Sequence, residues 1–273
     1  MMNRPVFPII ATILIIGAGV GYYFVERRPA PPAPATVASA PMPAATPAPA
    51  SAPAIQHPVP GGSPGASATA PSLPAALDAS DGPLREALAG VVGADVLKRY
   101  LAPEDLIRRI VVTVDNLPRR KLPYDRLPVT TPAGGFIANG EGAHATLDPR
   151  NYARYTPMVD VLGTIDMRSL AQVYFRFYPL FQSAYQDLGY PNGYFNDRLI
   201  AVIDQLLATP QPAGPIELVQ PHVQYHFADP ALETLSAGQK ILIRMGPDNA
   251  AVVKSKLSEL RAALTAAPHA PTH

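Results

Sequence analysis

Asp166-Met167-Arg168-Ser169-Leu170-Ala171-Gln172-Val173-Tyr174-Phe175-Arg176-Phe177-Tyr178-Pro179-Leu180-Phe181-Gln182-Ser183-Ala184-Tyr185-Gln186-Asp187-Leu188-Gly189 is the stretch that decides the fold. Asp166 stands as an N-cap, and Leu170, Val173, Tyr174, Phe177, Phe181, Tyr185 and Leu188 recur at spacings of three and four, the period of an amphipathic helix. Phe175 and Tyr178 add a second apolar face, which places the helix at the centre of its domain. Pro179 is expected to kink it and free the Phe175 carbonyl, and Gly189 to end it. After the turn Pro191-Asn192-Gly193, Asn196 reads as the cap of a second helix carrying Leu199, Ile200, Ile203, Leu206 and Leu207. Two helices so joined form an antiparallel hairpin.

Working outward, Gly82-Pro83 opens a short helix with Leu84, Leu88 and Val91 on one face. Pro103-Glu104-Asp105 opens another, with Ile107, Ile110, Val111 and Val114 inward; its β-branched content leaves a strand as the alternative. Leu117 to Pro132 carries four prolines and no regular element is expected there. Phe136 to Leu147 reads as a hairpin turning at Asn139-Gly140, and Val223 to Phe227 as a half-buried strand. Asp148-Pro149 and Thr156-Pro157 each start a short helix. Ser236-Ala237-Gly238-Gln239 fits a capping box, and Gly246-Pro247 ends that helix and starts the last, striped by Val253, Leu257, Leu260 and Leu264. The expected class is α+β, mainly α: a helical domain with a long antiparallel helix hairpin and a small antiparallel sheet.

The N-terminal part has a different composition. Residues 6–25 hold no charge and, at 1.5 Å per residue, make ~30 Å of helix, a bilayer core's thickness. They are read as an uncleaved transmembrane anchor, because Ala38-Ser39-Ala40, which has the small-residue pattern of a peptidase site, lies far past the apolar run. Gly17 and Gly21 have the spacing of close helix pairing, a weak signal that leaves the oligomeric state open. From Pro29 to Leu77 there is no Asp, Glu, Lys or Arg, and the text is mostly Ala, Pro, Ser, Thr and Gly. Such a chain buries too little apolar area to offset its ordering entropy and is expected to be a disordered linker, reaching ~150 Å if fully extended. The expected organisation is therefore an anchor over 1–28, a Pro/Ala-rich linker over 29–80, a folded domain over 81–265 and a disordered tail over 266–273.

Composition narrows function mainly by exclusion. The absence of cysteine removes disulfides, thiolate metal sites and cysteine nucleophiles. With 22 Lys plus Arg against 21 Asp plus Glu, nothing in the charge calls for a nucleic-acid partner. Arg4 before the span against Arg27 and Arg28 after it favours a cytoplasmic domain by count, whereas the uncharged linker and the lack of cysteine suit the periplasm. The expected location is the bacterial inner membrane, single-pass, with the folded domain periplasmic and the bilayer engaged through residues 6–25.

No nucleophile elbow, phosphate loop, dinucleotide fingerprint or metalloprotease helix occurs, and no cofactor is expected. His222 and His226, joined by His144 or Asp229, are the nearest approach to a metal site, but two histidines on a solvated face are the ordinary case and no metal is expected. Gly246 between two helices, near Lys254 and Lys256, is read as packing rather than nucleic-acid binding. Arg108, Arg109, Arg119, Arg120, Lys121 and Arg126 form the most basic stretch, read as a solvated loop or a polyanion contact. Asp197 and Asp204 sit two helical turns, ~10 Å, apart, too far for a shared proton. The informative density is aromatic: eleven of the twenty Phe and Tyr residues fall between Tyr152 and Phe195, interleaved with arginines and asparagines. Arg150, Tyr152, Tyr194, Asn196, Asp197 and Arg198 are the candidate binding surface.

Three stretches carry a family resemblance: Asp148-Pro149-Arg150-Asn151-Tyr152-Ala153-Arg154-Tyr155, the run from Leu188 through Gly189-Tyr190-Pro191-Asn192-Gly193-Tyr194-Phe195-Asn196-Asp197-Arg198 to Leu199, and Leu235-Ser236-Ala237-Gly238-Gln239-Lys240 through Arg244-Met245-Gly246-Pro247. From about Leu84 to Leu264 the chain resembles the bacterial domain of unknown function 3014 family. The resemblance implies an anchor helix and a proline-rich tether, but no reaction, cofactor or catalytic residue. The functional expectation is a membrane-tethered envelope protein, more a non-catalytic binding or scaffold module with an envelope protein partner than an enzyme. The alternatives are an envelope hydrolase using carboxylates and a cytoplasmic-face polyanion binder.

Overall fold

The computed structural model describes residues 54–60, 76–140 and 145–266. In chain order the helices are α1 (Asp81–Val92), α2 (Ala94–Tyr100), α3 (Leu106–Asn116), α4 (Arg150–Ala153), α5 (Thr156–Gly163), α6 (Met167–Asp187), α7 (Phe195–Leu207), α8 (Pro230–Glu233), α9 (Ala237–Arg244) and α10 (Pro247–Thr265). Between them lie β1 (Ala138–Asn139), β2 (Thr146–Leu147), β3 (Leu218–Val219) and β4 (His226–Phe227). Among the described residues no helix is long and apolar enough to cross a membrane; the expected span, residues 6–25, lies outside them.

α6 is central as its two apolar faces require: it packs against α1, α3, α7 and α10. Asp166 caps it by accepting from the Arg168 and Ser169 backbone N–H groups, and Pro179 sits inside an unbroken helix. α10 closes the core with Val253, Leu257, Leu260 and Leu264, all buried. Ser236 and Gln239 form the reciprocal capping box at the start of α9.

Several expected boundaries differ. α3 begins at Leu106, not Pro103, because Asp105 takes a left-handed turn (φ 60°) and the Asp81 carboxylate, from the first turn of α1, accepts from the Asp105 and Leu106 N–H groups at 2.7 and 2.9 Å. Asp81 thus supplies a cap that no neighbour in sequence provides. The stretch Leu117 to Pro132 holds a 3₁₀ turn at Tyr124–Arg126 and a bridge from Val129 to Leu101. The strand expected over Val223 to Phe227 shrinks to His226–Phe227, and Val223 is 78% exposed. Its partner is β3, and a Thr146–Glu217 bridge ties the β3–β4 pair to the antiparallel β1–β2 pair. This small sheet covers a second apolar cluster, containing Ala145, Leu147, Ile216, Leu218, Phe227 and Ile243.

Glu233, in α8, fastens the corner between that sheet and α9. Its carboxylate accepts from the Phe227 N–H at 3.0 Å, pairs with Lys240 at 2.5 Å and lies 3.2 Å from His226 Nδ1. Burial alone would raise its pKa, but the Lys240, Phe227 and His226 contacts outweigh burial and hold it below the usual carboxylate value. A depressed carboxylate stabilises the fold above its unfolded pKa, and that contribution is lost as pH falls through the folded value. Glu233→Gln is therefore expected to cost about 1–2 kcal/mol at neutral pH, the worth of charge-assisted contacts in a mostly buried pair whose side chains are 31% and 11% exposed, with the gap closing toward the acid side in urea titrations. A gap independent of pH would remove Glu233 from the account.

Candidate functional site

The N-terminus of α7 is built on the aromatic wall of α6. Phe195 stacks on Phe181 with centroids 5.8 Å apart and planes within 3°, and Tyr185 stacks on Tyr190 at 4.6 Å. Gln182 pins the turn between the helices: its Nε2 donates to the Gly193 carbonyl at 2.7 Å, and its Oε1 accepts from the Phe195 N–H and the Tyr178 hydroxyl, each at 2.9 Å. Only glycine fits at 193, since a Cβ there would stand 2.7 Å from the Tyr185 ring. Tyr194, Asn196 and Asp197 are thereby fixed at one end of the helix hairpin.

Those three side chains hold a piece of the linker. Asp197 Oδ2 accepts from the Gln56 N–H at 3.0 Å and its Oδ1 from the His57 N–H at 2.7 Å. Asn196 Nδ2 donates to the His57 carbonyl at 2.9 Å, and the Tyr194 hydroxyl accepts from the Val59 N–H at 2.8 Å. The Val59 side chain joins the main core at 6% exposure, while Ile55 and Pro58 face solvent. The contacts are to main-chain groups, so the clamp reads an extended backbone and one apolar side chain. Within the linker expected to be disordered over 29–80, Ala54–Pro60 lies on the domain and Leu77–Ala79 forms a 3₁₀ turn.

The clamp's polar groups are oriented in turn. Tyr174 donates to Asn196 Oδ1 at 3.1 Å, which leaves the Asn196 amide nitrogen facing His57. Asn196 is thus a buried clamp residue in the first turn of α7, not its cap; Tyr194 holds the cap position. Burial, then the hydroxyls of Tyr178 and Tyr194, then Asp197 push the Tyr174 pKa far up, and burial followed by Tyr194 does the same to Tyr178. Both phenols stay protonated under all ordinary conditions and act in the clamp as neutral hydrogen-bonding groups.

The other candidates are placed elsewhere. Arg198 points to α3, where it meets Asp115 Oδ1 at 3.1 Å and the Asp115 carbonyl at 2.8 Å. Arg150 is spent on Asp148, which it grips through Nε and Nη2 at 2.6–3.0 Å. Asp148 Oδ1 also accepts from the Arg150 N–H at 2.8 Å, the start-of-helix role its position suggests. Tyr152 packs in the second apolar cluster under Gly246, where a Cβ would meet its ring at 2.5 Å, and its carbonyl accepts from Asn249 at 2.9 Å. Tyr152 also edges a cavity of about 230 Å³ shared with Pro210, Ile216, Leu242 and Lys254, and no carboxylate lines it. Asp204 pairs with Arg261 rather than with Asp197.

Four of the six residues of the basic stretch have acceptors on the domain. Arg108 meets Asp78 and Asp105, Arg119 meets Asp115, Arg126 meets Asp125, and Arg109 donates to the carbonyls of Glu104, Asp125 and Leu127. His226 pairs with Glu233, and among the described residues no three His, Asp or Glu gather as a metal ion requires; His144 lies outside them.

Val59, Gln182 and Asp115 are functional or supporting residues that sequence reasoning missed. One signal did exist for the first: Gln56 and His57 are the only glutamine and histidine between Pro29 and Leu77, a break in low-complexity text where side chains begin to matter.

Fold and site together define a mainly helical domain bearing a side-chain clamp for an extended chain segment. The chain belongs to the DUF3014 family, described as proteins of unknown function, which matches residues 106–261. The match starts at Leu106 rather than near Leu84, so α1 and α2 lie outside it, although Asp81 of α1 caps the first helix inside it. None of the curated proteins and none of the solved structures compared with the chain matches it.

Proposed function

We propose that the protein is a membrane-tethered module of the bacterial cell envelope, a non-catalytic binding or scaffold domain held on the periplasmic side of the inner membrane by residues 6–25. One observation carries the binding reading: the side chains of Tyr194, Asn196 and Asp197, neighbours in one turn, are spent on the main-chain groups of an extended segment. Such use of side chains is peptide recognition. The carboxylate pair the sequence offered is divided, Asp197 being committed to two N–H groups and Asp204 to Arg261, which weakens the hydrolase reading. The internal pairing of Arg108, Arg109, Arg119 and Arg126 weakens the cytoplasmic polyanion alternative in the same way. Location is tested by fusing alkaline phosphatase after His273, since that enzyme is active only outside the cytoplasm. Activity in intact cells is expected. A well-expressed but inactive fusion would put the domain on the cytoplasmic face and sink the envelope reading.

A further inference from the structure

We infer that the Tyr194–Asn196–Asp197 clamp is a binding site for extended peptides of the pattern Xaa-Xaa-Pro-apolar, neither Xaa being proline, in a partner protein, and that Gln56–Val59 of this chain is its built-in competitor. The inference rests on the domain being a binding module, but not on which side of the membrane it works.

The pattern follows from the contacts. Asp197 needs two consecutive free N–H groups, supplied by Gln56 and His57, so neither of those positions can be proline. Asn196 needs the carbonyl of the second position, and Tyr194 needs the N–H two residues further on. The position between, Pro58, makes none of these contacts and is exposed, and proline there holds the chain extended on both sides. The residue after it must be apolar and of valine size, because Val59 is buried in the core cluster. The side chains of the first two positions are not read, as Gln56 is exposed and His57 half-exposed. A site so constituted recognises a backbone conformation with one apolar anchor, and other chains can present the same features. Asp197 fits that use: it accepts from two amides in charge-assisted fashion, which a free peptide can satisfy as well as the linker can.

Self-occupancy sets the threshold. Residues 61–75 join the held segment to Ala76, so its encounter with the clamp is intramolecular and does not depend on the concentration of the protein. A partner peptide at micromolar concentration cannot displace such an occupant unless it binds far more tightly or arrives in several copies.

The test uses the full chain in detergent micelles and a fluorescein-labelled synthetic peptide of residues 54–60, followed by anisotropy. Chain lacking residues 54–60 is expected to bind the peptide at least about tenfold more tightly than the intact chain. Asp197→Asn in the shortened chain, or Val59→Asp in the peptide, is expected to weaken binding by about tenfold or more. Circular dichroism of the shortened chain checks that the domain is folded. Equal binding to intact and shortened chains overturns the competitor while leaving the peptide site in place. No binding to a folded shortened chain overturns the site itself, whatever the phosphatase fusion reports about location.

Discussion

Phe195→Ala is expected to lower the unfolding free energy by about 3–5 kcal/mol, the range for truncating a buried aromatic residue, and to release the linker from the domain. Phe195 is 1% exposed and meets three rings of α6: Phe181 in a stack, Tyr185 at 5.5 Å and Tyr174 at 6.4 Å. Its N–H is the group through which Gln182 fixes the start of α7, and the clamp residues Tyr194 and Asn196 flank it in sequence. The ring therefore acts on two levels. Its loss leaves a cavity in the main core, and the same cavity lets the first turn of α7 move, which spoils the geometry of four hydrogen bonds to residues 56–59. Denaturant unfolding of the full chain measures the first effect, with a fall in Tm of roughly 10 °C for a domain of this size. Limited proteolysis measures the second, as cleavage within residues 54–60 that the parent resists. Phe195→Leu, which keeps most of the volume, should retain the protection and about half the lost stability. A loss under about 1 kcal/mol for the alanine variant would mean that the wall does not depend on this ring.

What could be read in the sequence was local. The Asp166 cap, the Ser236 and Gln239 box, the Gly246-Pro247 junction and the stripe on α10 each depend on residues within a turn or two of one another, and each stands where its pattern puts it. The errors came wherever a distant side chain supplied what the local text lacked. α3 starts at Leu106 because Asp81 caps it across 25 residues, so Pro103 had no structural role as a helix opener to play. Val223 alternates correctly for a strand, but β3 is two residues long and offers no partner backbone beyond Val219. Asn196 has the residue type and place of a cap, yet its amide is drawn away by Tyr174 on one side and by His57, 139 positions earlier, on the other. The candidate surface divides for the same reason. Tyr194, Asn196 and Asp197 stay together because they share one turn, whereas Arg150, Tyr152 and Arg198 each find a partner whose position no spacing in the sequence encodes.

Asp115→Ala is expected to cost roughly 3 kcal/mol, toward the low end of the penalty for orphaning a buried charge, and to leave peptide binding intact. Asp115 closes α3 at 2% exposure and holds three groups: Arg119 at 2.5 Å, Arg198 at 3.1 Å and the Tyr190 hydroxyl at 3.2 Å. Removing the carboxylate takes the counter-charge from Arg198, whose side chain is only 29% exposed and which keeps just the Asp115 main-chain carbonyl. Arg119 is 53% exposed and recovers water as its partner, which discounts its share. The variants should therefore rank by burial and not by distance. Arg119→Ala, despite breaking the shorter contact, should cost under about 1 kcal/mol, while Arg198→Ala should approach Asp115→Ala because it leaves the buried carboxylate with the exposed Arg119 as its cationic partner and only the neutral Tyr190 hydroxyl beside it. Asp115→Asn should fall between, since its amide still accepts from Tyr190 but no longer compensates two guanidinium groups. Urea unfolding of the four variants reads the ranking, and anisotropy with the 54–60 peptide on chains lacking that segment reads the site. If Arg119→Ala proved as costly as Asp115→Ala, the exposed pair would carry the stability and the burial argument would fail. If Arg198→Ala abolished peptide binding without loss of stability, Arg198 would return to the recognition surface, from which its turn toward α3 removes it.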